Sequence, residues 1–403
     1  MTDGDARTLL AELGAAMIAT GQPVHEIEAE LVALAARLGH PDAQIGAGPT
    51  SLTIALASGD PATFEQVTSP LRLDQATQVR RIRHQLHHRQ ISGTTAMAEL
   101  TELRRLRPRY PSWASGPALV LVAVGIAGLL QPGWPNLVAA ALGALAVDAL
   151  MRLARRHHLV ATLLPTLAAL VVAVLVLSAA RAGLLEGALR TILPPIAPLL
   201  PGALIVTGMS ELAAGQMQAG SARLVHGVVQ LGLFALGIVS ALYLLGLPAT
   251  TLLNVRVDDL GWWGPPVGLL LIAIGISLME SVAVREAPWV LVVLLLAYGA
   301  QLLGQHLGSV SLGGFLGAVA ASLGATLVEL RRPNVARLVL FLPAFWLLVP
   351  GSLGLVGVSQ LVVDPSSAVE SVLGVLGLMA AIALGLLVGS ALGDALRNKV
   401  RPD

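Results

Sequence analysis

The chain has 403 residues, 55% of them hydrophobic, 12% charged and 3% aromatic, with a mean hydropathy of +0.77 and a formal net charge of +1. A soluble protein of this length carries about 25% charged residues, so half the expected charge is missing, and the near-zero balance excludes a strongly basic nucleic-acid binder. Cysteine is absent, which excludes disulfides, thiolate catalysis and Cys-ligated metals.

The charge that remains is uneven: residues 1–113 hold 11 of the 25 basic and 12 of the 24 acidic side chains. This predicts a small α+β unit over 1–113, followed by a membrane region in two halves, 114–245 and 265–403. The start, MTDGDARTLLAELGAAM, lacks the basic segment, apolar core and cleavage site of a signal peptide, so the N-terminal unit is expected to stay in the cytoplasm. Val24, Ile27, Leu31, Leu34 and Leu38 recur at spacings of three and four, an amphipathic helix ended by Gly39 and Pro41. Leu52, Ile54 and Leu56 alternate with smaller or polar residues, a strand with which TFEQV can pair. Helices are predicted at 73–90 and 94–107. His84, His87 and His88 lie at helical spacing beside Arg80, Arg81, Arg83 and Arg89, which reads as a solvated basic helix near anionic headgroups and not as a metal site.

From Trp113 onward, apolar runs recur that are long enough to cross a hydrocarbon core of roughly 30 Å. Ten spans are predicted, near 114–130, 135–151, 159–179, 188–208, 222–245, 265–280, 288–304, 309–328, 337–361 and 368–392. With the N-terminus inside, Arg152, Arg155, Arg156, Arg223, Arg285, Arg331, Arg332, Arg337, Arg397, Lys399 and Arg401 fall on the cytoplasmic side. Only Arg181, Arg190 and Arg256 fall outside. That asymmetry is the one expected of an even number of spans with both termini in the cytoplasm.

At an offset of 149, Pro201-Gly202-x-Leu204-x-x-x-Gly208-x-Ser210-x-Leu212 superposes on Pro350-Gly351-x-Leu353-x-x-x-Gly357-x-Ser359-x-Leu361. Two five-helix repeats must have opposite orientations, and an inverted repeat is a signature of secondary transporters. The Pro-Gly pairs fall in spans 4 and 9, with Pro194, Pro195 and Pro198 before the first and Pro343 before the second. Proline removes a donor and frees a carbonyl, and freed backbone at membrane depth is tolerated only against protein or a water-filled cavity. Pro201, Gly202, Pro350 and Gly351 are therefore the expected helix-break and gating positions.

Ionisable groups inside a span cost about 2.5–3.5 kcal/mol, so each needs a reason. Asp148, near the inner end of span 2, suits either a substrate or proton role or an interfacial pairing with Arg152. Glu211 follows the first Pro-Gly pair. Glu280 and Glu329 read as solvated helix ends and Asp394 as interfacial. With Asp148 and Glu211, the hydroxyls of Thr207, Ser210, Ser352 and Ser359 and the Gln360 amide form the candidate set for a small polar solute, although Ser and Thr in a span commonly bond their own helix. An amino acid suits this set: its carboxylate would meet the N-terminus of a half-helix restarted after Pro-Gly, and its ammonium would meet freed carbonyls or Asp148. A carboxylate with a pKa raised by burial would couple transport to protons. No phosphate loop, His-Glu-x-x-His or Gly-x-Ser-x-Gly is present, which argues against ATP-driven pumping and against an enzyme. No cofactor or metal is implied.

The order GQPVHEIEAELVALAARLG, GPTSLTIAL, ISGTTAMAELTELRRLRPRYPSW, PLLPGALIVTGMSELAAGQMQAGSARL and FLPAFWLLVPGSLGLVGVSQL resembles the threonine/serine exporter family over nearly the whole chain. Its most specific parts are Pro201-Gly202 with Arg223 downstream, and Pro350-Gly351. Where the family carries an Arg two positions before its glutamate, this chain has Glu26 before Glu28. The resemblance implies a cytoplasmic N-terminal domain, ten spans, and proton-driven efflux of small hydroxy amino acids across the bacterial cytoplasmic membrane. The alternatives are a dicarboxylate exporter of the kind that moves succinate, a membrane-anchored hydrolase with its site in residues 1–113, and a passive channel.

Overall fold

The computed structural model describes residues 2–67, 69–253, 255–332, 337–348 and 368–400. Helix α1 (Asp3–Ala19) starts with a reciprocal cap between Thr2 and Asp5 and presents Leu9, Leu10, Leu13 and Met17 to the interior. It was not anticipated from the sequence, because its apolar residues surround the helix and leave no one-sided stripe. Helix α2 (Val24–Arg37) buries Val24, Ile27, Leu31 and Leu34, the predicted stripe. Strands β1 (Gln44–Ala47), β2 (Ser51–Ala55) and β3 (Thr63–Gln66) form an antiparallel sheet with β2 central, in the register Ile45 opposite Ile54 and Thr53 opposite Phe64. Leu52 and Ile54 are buried against α1 and α2, where Gly14 makes room: a Cβ there would lie 2.5 Å from a Leu52 methyl. Helices α3 (Leu73–His87) and α4 (Gly93–Leu103) complete this core with Val79, Ile82, Leu86 and Leu100.

The helices that follow are α5 (Ser115–Leu130), α6 (Trp134–Ala154), α7 (His158–Arg181), α8 (Ala188–Ile196), α9 (Gly202–Ala213) and α10 (Met217–Leu245). Then come α11 (Gly264–Met279), α12 (Ala287–Leu307), α13 (Val310–Arg331), α14 (Arg337–Leu347) and α15 (Ala368–Val400). Among the described residues eight helices are long and apolar enough to span a membrane, and a ninth span is possible if the bent pair 188–199 and 202–213 is one crossing. The two arms of that pair meet at 67°, so the predicted span at 188–208 is a helix broken at Leu200 and Pro201, next to the helix break expected at Pro201 and Gly202. The predicted span at 337–361 begins as α14 and leaves the described residues after Leu348.

Close helix packing is made by small residues, as expected where lipid supplies no hydrophobic drive between helices. Helix α5 runs antiparallel to α11: a Cβ on Gly125 would lie 2.6 Å from the Gly268 carbonyl oxygen, and one on Gly275 would lie 2.7 Å from that of Ala118. Helix α6 packs on α7, α7 on α10, and α8 against α6 and α7; likewise α12 packs on α13, α13 on α15, and α14 against α12 and α13. Helix α9 lies between α10 and α15. The N-terminal unit sits on the end of this bundle that carries the start of α5 and the C-termini of α6, α11 and α13, called here the proximal end. Gly125→Leu or Gly268→Leu is expected to cost about 1–3 kcal/mol or more, because the obstacle is backbone. Gly232→Ala, with nothing within 4 Å, should leave the thermal unfolding midpoint in detergent unchanged; equal midpoints for all three variants would refute this packing.

Candidate functional site

The site begins at the break. Pro201 is the N-cap residue of α9 and supplies no side-chain acceptor, so the first-turn amides of the half-helix point onward with the positive end of its dipole. Helix α9 is then fixed to α10 where Gly208 and Gly220 cross; a Cβ on either would lie 2.8 or 2.6 Å from the other's carbonyl oxygen. Its first turn, at Ala203 and Leu204, opens onto a cavity of about 540 Å³. The cavity walls come from α9 (Thr207, Ser210), α10 (Arg223), α13 (Ser322, Glu329), α14 (Arg337, Phe341, Leu342) and α15 (Ser390, Asp394, Arg397). Its roof comes from the N-terminal unit: the α1–α2 turn with Thr20, Gln22 and Pro23, then His25, Glu26 and Glu30 on α2, and Arg80 and Arg83 on α3.

Three carboxylates from the bundle tie down that roof and one wall. Glu211 is fully buried, and its Oε1 accepts from the Val24 N–H at 3.0 Å, the first amide of α2. Its Oε2 lies 3.4 Å from Arg223 Nε without a hydrogen bond. Glu280 accepts from the Leu73 N–H, the first amide of α3. Glu329 accepts from the Arg337 N–H of α14 at 3.3 Å and pairs with Arg80 at 2.5 Å and Arg397 at 2.6 Å. Glu28 adds a fourth tether: it accepts from Gln216 at 2.6 Å while also accepting from the Ala47 N–H at 2.8 Å. Glu329 is 5% exposed and Glu280 half-buried, which corrects their reading as solvated helix ends: both end under the N-terminal unit.

The cavity is electrically balanced. Arg80, Arg83, Arg223, Arg337 and Arg397 face Glu26, Glu30, Glu329 and Asp394, with Glu211 directly behind Arg223. Arg83 is spent on Glu30, and Arg80 and Arg397 on Glu329. Arg337 donates to Ser322 Oγ at 2.7 Å and pairs with no described carboxylate. Among the described residues Glu26 accepts only from Gln22, at 3.3 Å. Burial raises the pKa of Glu30 above the ordinary carboxylate range, and Arg83 opposes that rise.

Of the residues singled out from sequence, Thr207 and Ser210 line the cavity and Glu211 lies behind its wall. The Ser210 hydroxyl donates to the Thr207 carbonyl at 2.9 Å, bonding its own helix. Asp148 is not among the lining residues: it accepts from Arg152 at 2.7 Å and Ser115 at 3.3 Å at the proximal end of α6. Pro350, Gly351, Ser352, Ser359 and Gln360 lie outside the described residues. Sequence reasoning missed Glu26, Glu30, Arg80 and Arg337 as cavity residues; Glu26 alone carried a signal, as the place where the chain departs from the family pattern.

At the distal end, Asn136 donates to Thr191 Oγ1 and to the Glu186 carbonyl, both at 2.7 Å, closing the bundle over α8. Removing one charge of the buried Glu211–Arg223 pair leaves the other uncompensated; Glu211→Gln or Arg223→Gln is expected to cost about 3–5 kcal/mol, and the double variant should recover most of it. Thermal unfolding of the four proteins in detergent checks this, and additive losses would refute the pairing.

The family model described as "Putative threonine/serine exporter" (ThrE) matches residues 8–245, from α1 to the end of α10. No curated protein matches the chain, and no solved structure matches it. With its apolar helices and the match over more than half its length, the chain is a multi-pass membrane protein and belongs to the threonine/serine exporter family.

Proposed function

We propose that the protein is a secondary exporter of small hydroxy amino acids, threonine or serine, and that the 540 Å³ cavity is its substrate compartment. The charge-balanced wall beside a broken helix carries this reading. A zwitterion adds no net charge to a neutral cavity, whereas a dianion must be desolvated against four carboxylates. The substrate carboxylate is placed at Arg337 and the α9 N-terminus, and its ammonium at Glu26, which has no cation partner among the described residues. Thr207 and Ser322 supply groups for the side-chain hydroxyl. Asp148, held by Arg152 and Ser115, is left with a structural task.

The inverted repeat is part of the proposal. Helices α5, α6 and α7 start at residues 115, 134 and 158, and α11, α12 and α13 start at 264, 287 and 310. The two series keep a nearly constant offset and the same packing partners, and α5 meets α11 antiparallel. Pro350 and Gly351 are then the repeat's counterpart of Pro201 and Gly202 in sequence. The arginine-rich proximal end is placed in the cytoplasm of a bacterial cell, so the cavity is entered from inside while the Asn136–Thr191 contact closes the outside. Proton coupling is assigned to Glu30, the cavity carboxyl whose proton affinity burial raises.

The second reading is a dicarboxylate exporter, favoured by one observation: Arg223 and Arg337 both reach the cavity with donors to spare. In inside-out vesicles, labelled threonine and serine should accumulate and succinate should not; the reverse result would select the second reading. Glu26→Gln is expected to cost at least about tenfold in amino-acid transport, the scale of one lost charge-assisted contact. Glu30→Gln should remove the dependence on a pH gradient while Asp148→Asn keeps it. A gradient-dependent Glu30→Gln protein would overturn the coupling assignment.

A further inference from the structure

A second and larger cavity, about 720 Å³, opens at the proximal end between α3, the segment after α4, and the α11–α12 loop. Five arginines line it, Arg80, Arg81, Arg107, Arg109 and Arg285, against two carboxylates, Asp74 and Glu286. Asp74 is already held by two hydrogen bonds from Arg72, at 3.0 and 3.1 Å. Arg80 pairs with Glu329, and Glu286 lies 3.9 Å from Arg285 and is also drawn to Arg109, whereas Arg81 and Arg107 have no such carboxylate among the described residues. Concentrating like charges in a concave cleft is electrostatically costly without an anion to answer them.

The surroundings of the cleft say which anion. Tyr110 Oη donates to the carbonyl of Val282, a lining residue, at 2.9 Å. Trp113 is 68% exposed at the foot of α5, and Trp289, in the first turn of α12, lies under the Arg332 guanidinium at 5.7 Å. Aromatic rings of this kind settle at the headgroup level of a bilayer. Val284, 73% exposed, adds apolar surface in the same loop as the lining residues Val282, Ala283 and Arg285. Arginines lining the cleft, with exposed apolar side chains in the adjoining loop and at the foot of α5, match a molecule with a phosphate at one end and acyl chains at the other.

We propose that this cleft binds the phosphate of an anionic phospholipid. Guanidinium groups engage phosphate oxygens two at a time, and basic pockets between helices at the cytoplasmic face are a recurrent form of headgroup site. The site is separate from the substrate compartment and independent of which metabolite is exported. The two share one residue: Arg80 lines the cleft and also pairs with Glu329 in the compartment. Headgroup occupancy therefore bears on the cation that helps hold the roof closed.

The test uses the full chain in neutral detergent, titrated with short-chain phosphatidylglycerol, short-chain phosphatidylcholine, glycerol phosphate and inorganic phosphate, with binding read by thermophoresis. Phosphatidylglycerol should bind at least about tenfold more tightly than the other three. Arg81→Gln/Arg107→Gln/Arg109→Gln should lose at least about tenfold of that affinity, as three surface cations near an anionic headgroup are removed. All three positions are exposed, and an unchanged thermal unfolding midpoint shows that the variant folds. Arg155→Gln/Arg156→Gln, exposed at the same end of the bundle, should bind as the unaltered chain does. Undiminished binding by the triple variant, or an equal loss in the Arg155/Arg156 variant, would overturn the site. Glycerol phosphate or inorganic phosphate binding as tightly as the lipid would overturn the lipid as its source.

Discussion

The architecture depends on carboxylates of the membrane bundle that satisfy the first amides of other helices. A helix start carries unpaired N–H groups and the positive end of a dipole, and a buried carboxylate answers both. Glu211 does this for α2 and Glu280 for α3, and Glu329 accepts from the Arg337 N–H of α14. Two of these contacts cross from the bundle to the N-terminal unit, so the unit is fixed by directional bonds to its backbone as well as by side-chain contact. The α1–α2 turn is thereby set over the cavity, and Gln22, Glu26 and Glu30 become part of its wall. A soluble appendage on a flexible tether would have contributed none of them.

The same bonds explain why the charges are tolerated. Glu211 and Glu329 lie at 0% and 5% exposure, and an isolated carboxylate so buried would cost several kcal/mol. Each is answered by at least one arginine and one backbone donor, which is the condition under which buried ions persist. The break at Pro201 has a comparable logic. Its freed backbone faces a cavity, while Gly208 and Gly220 clamp the lower half-helix onto α10, so the bend stays at one place. Rigid half-helices around a fixed break form a compartment with defined walls, which a gradually curved span would not.

The sequence made the local elements legible where a period or a punctuating residue dictated them. The Val24–Leu34 stripe, the alternation at Leu52 and Ile54, and the apolar runs from Ser115 onward appear as α2, β2 and the bundle helices. The proline cluster before Gly202 appears as a 67° bend. It was less informative about charged groups. Asp148 stood out for its place in a span, yet its partners Ser115 and Arg152 leave it at a helix end. Glu329, which looked like an ordinary end residue, is the most heavily bonded carboxylate of the cavity wall.

By itself the sequence determined which segments are apolar enough to leave water, where the chain must break, and which end of the bundle is basic, because these follow from composition and from proline's missing donor. Only the tertiary structure decided which charges meet. Glu211 finds Val24 across 187 residues and Gln216 finds Glu28 across 188. Such pairings depend on how two packed units dock, and no local pattern encodes that. The cavity belongs to the second class: its walls come from five helices of the bundle and its roof from the N-terminal unit. The scarce charge of this chain matters through where packing brings it together.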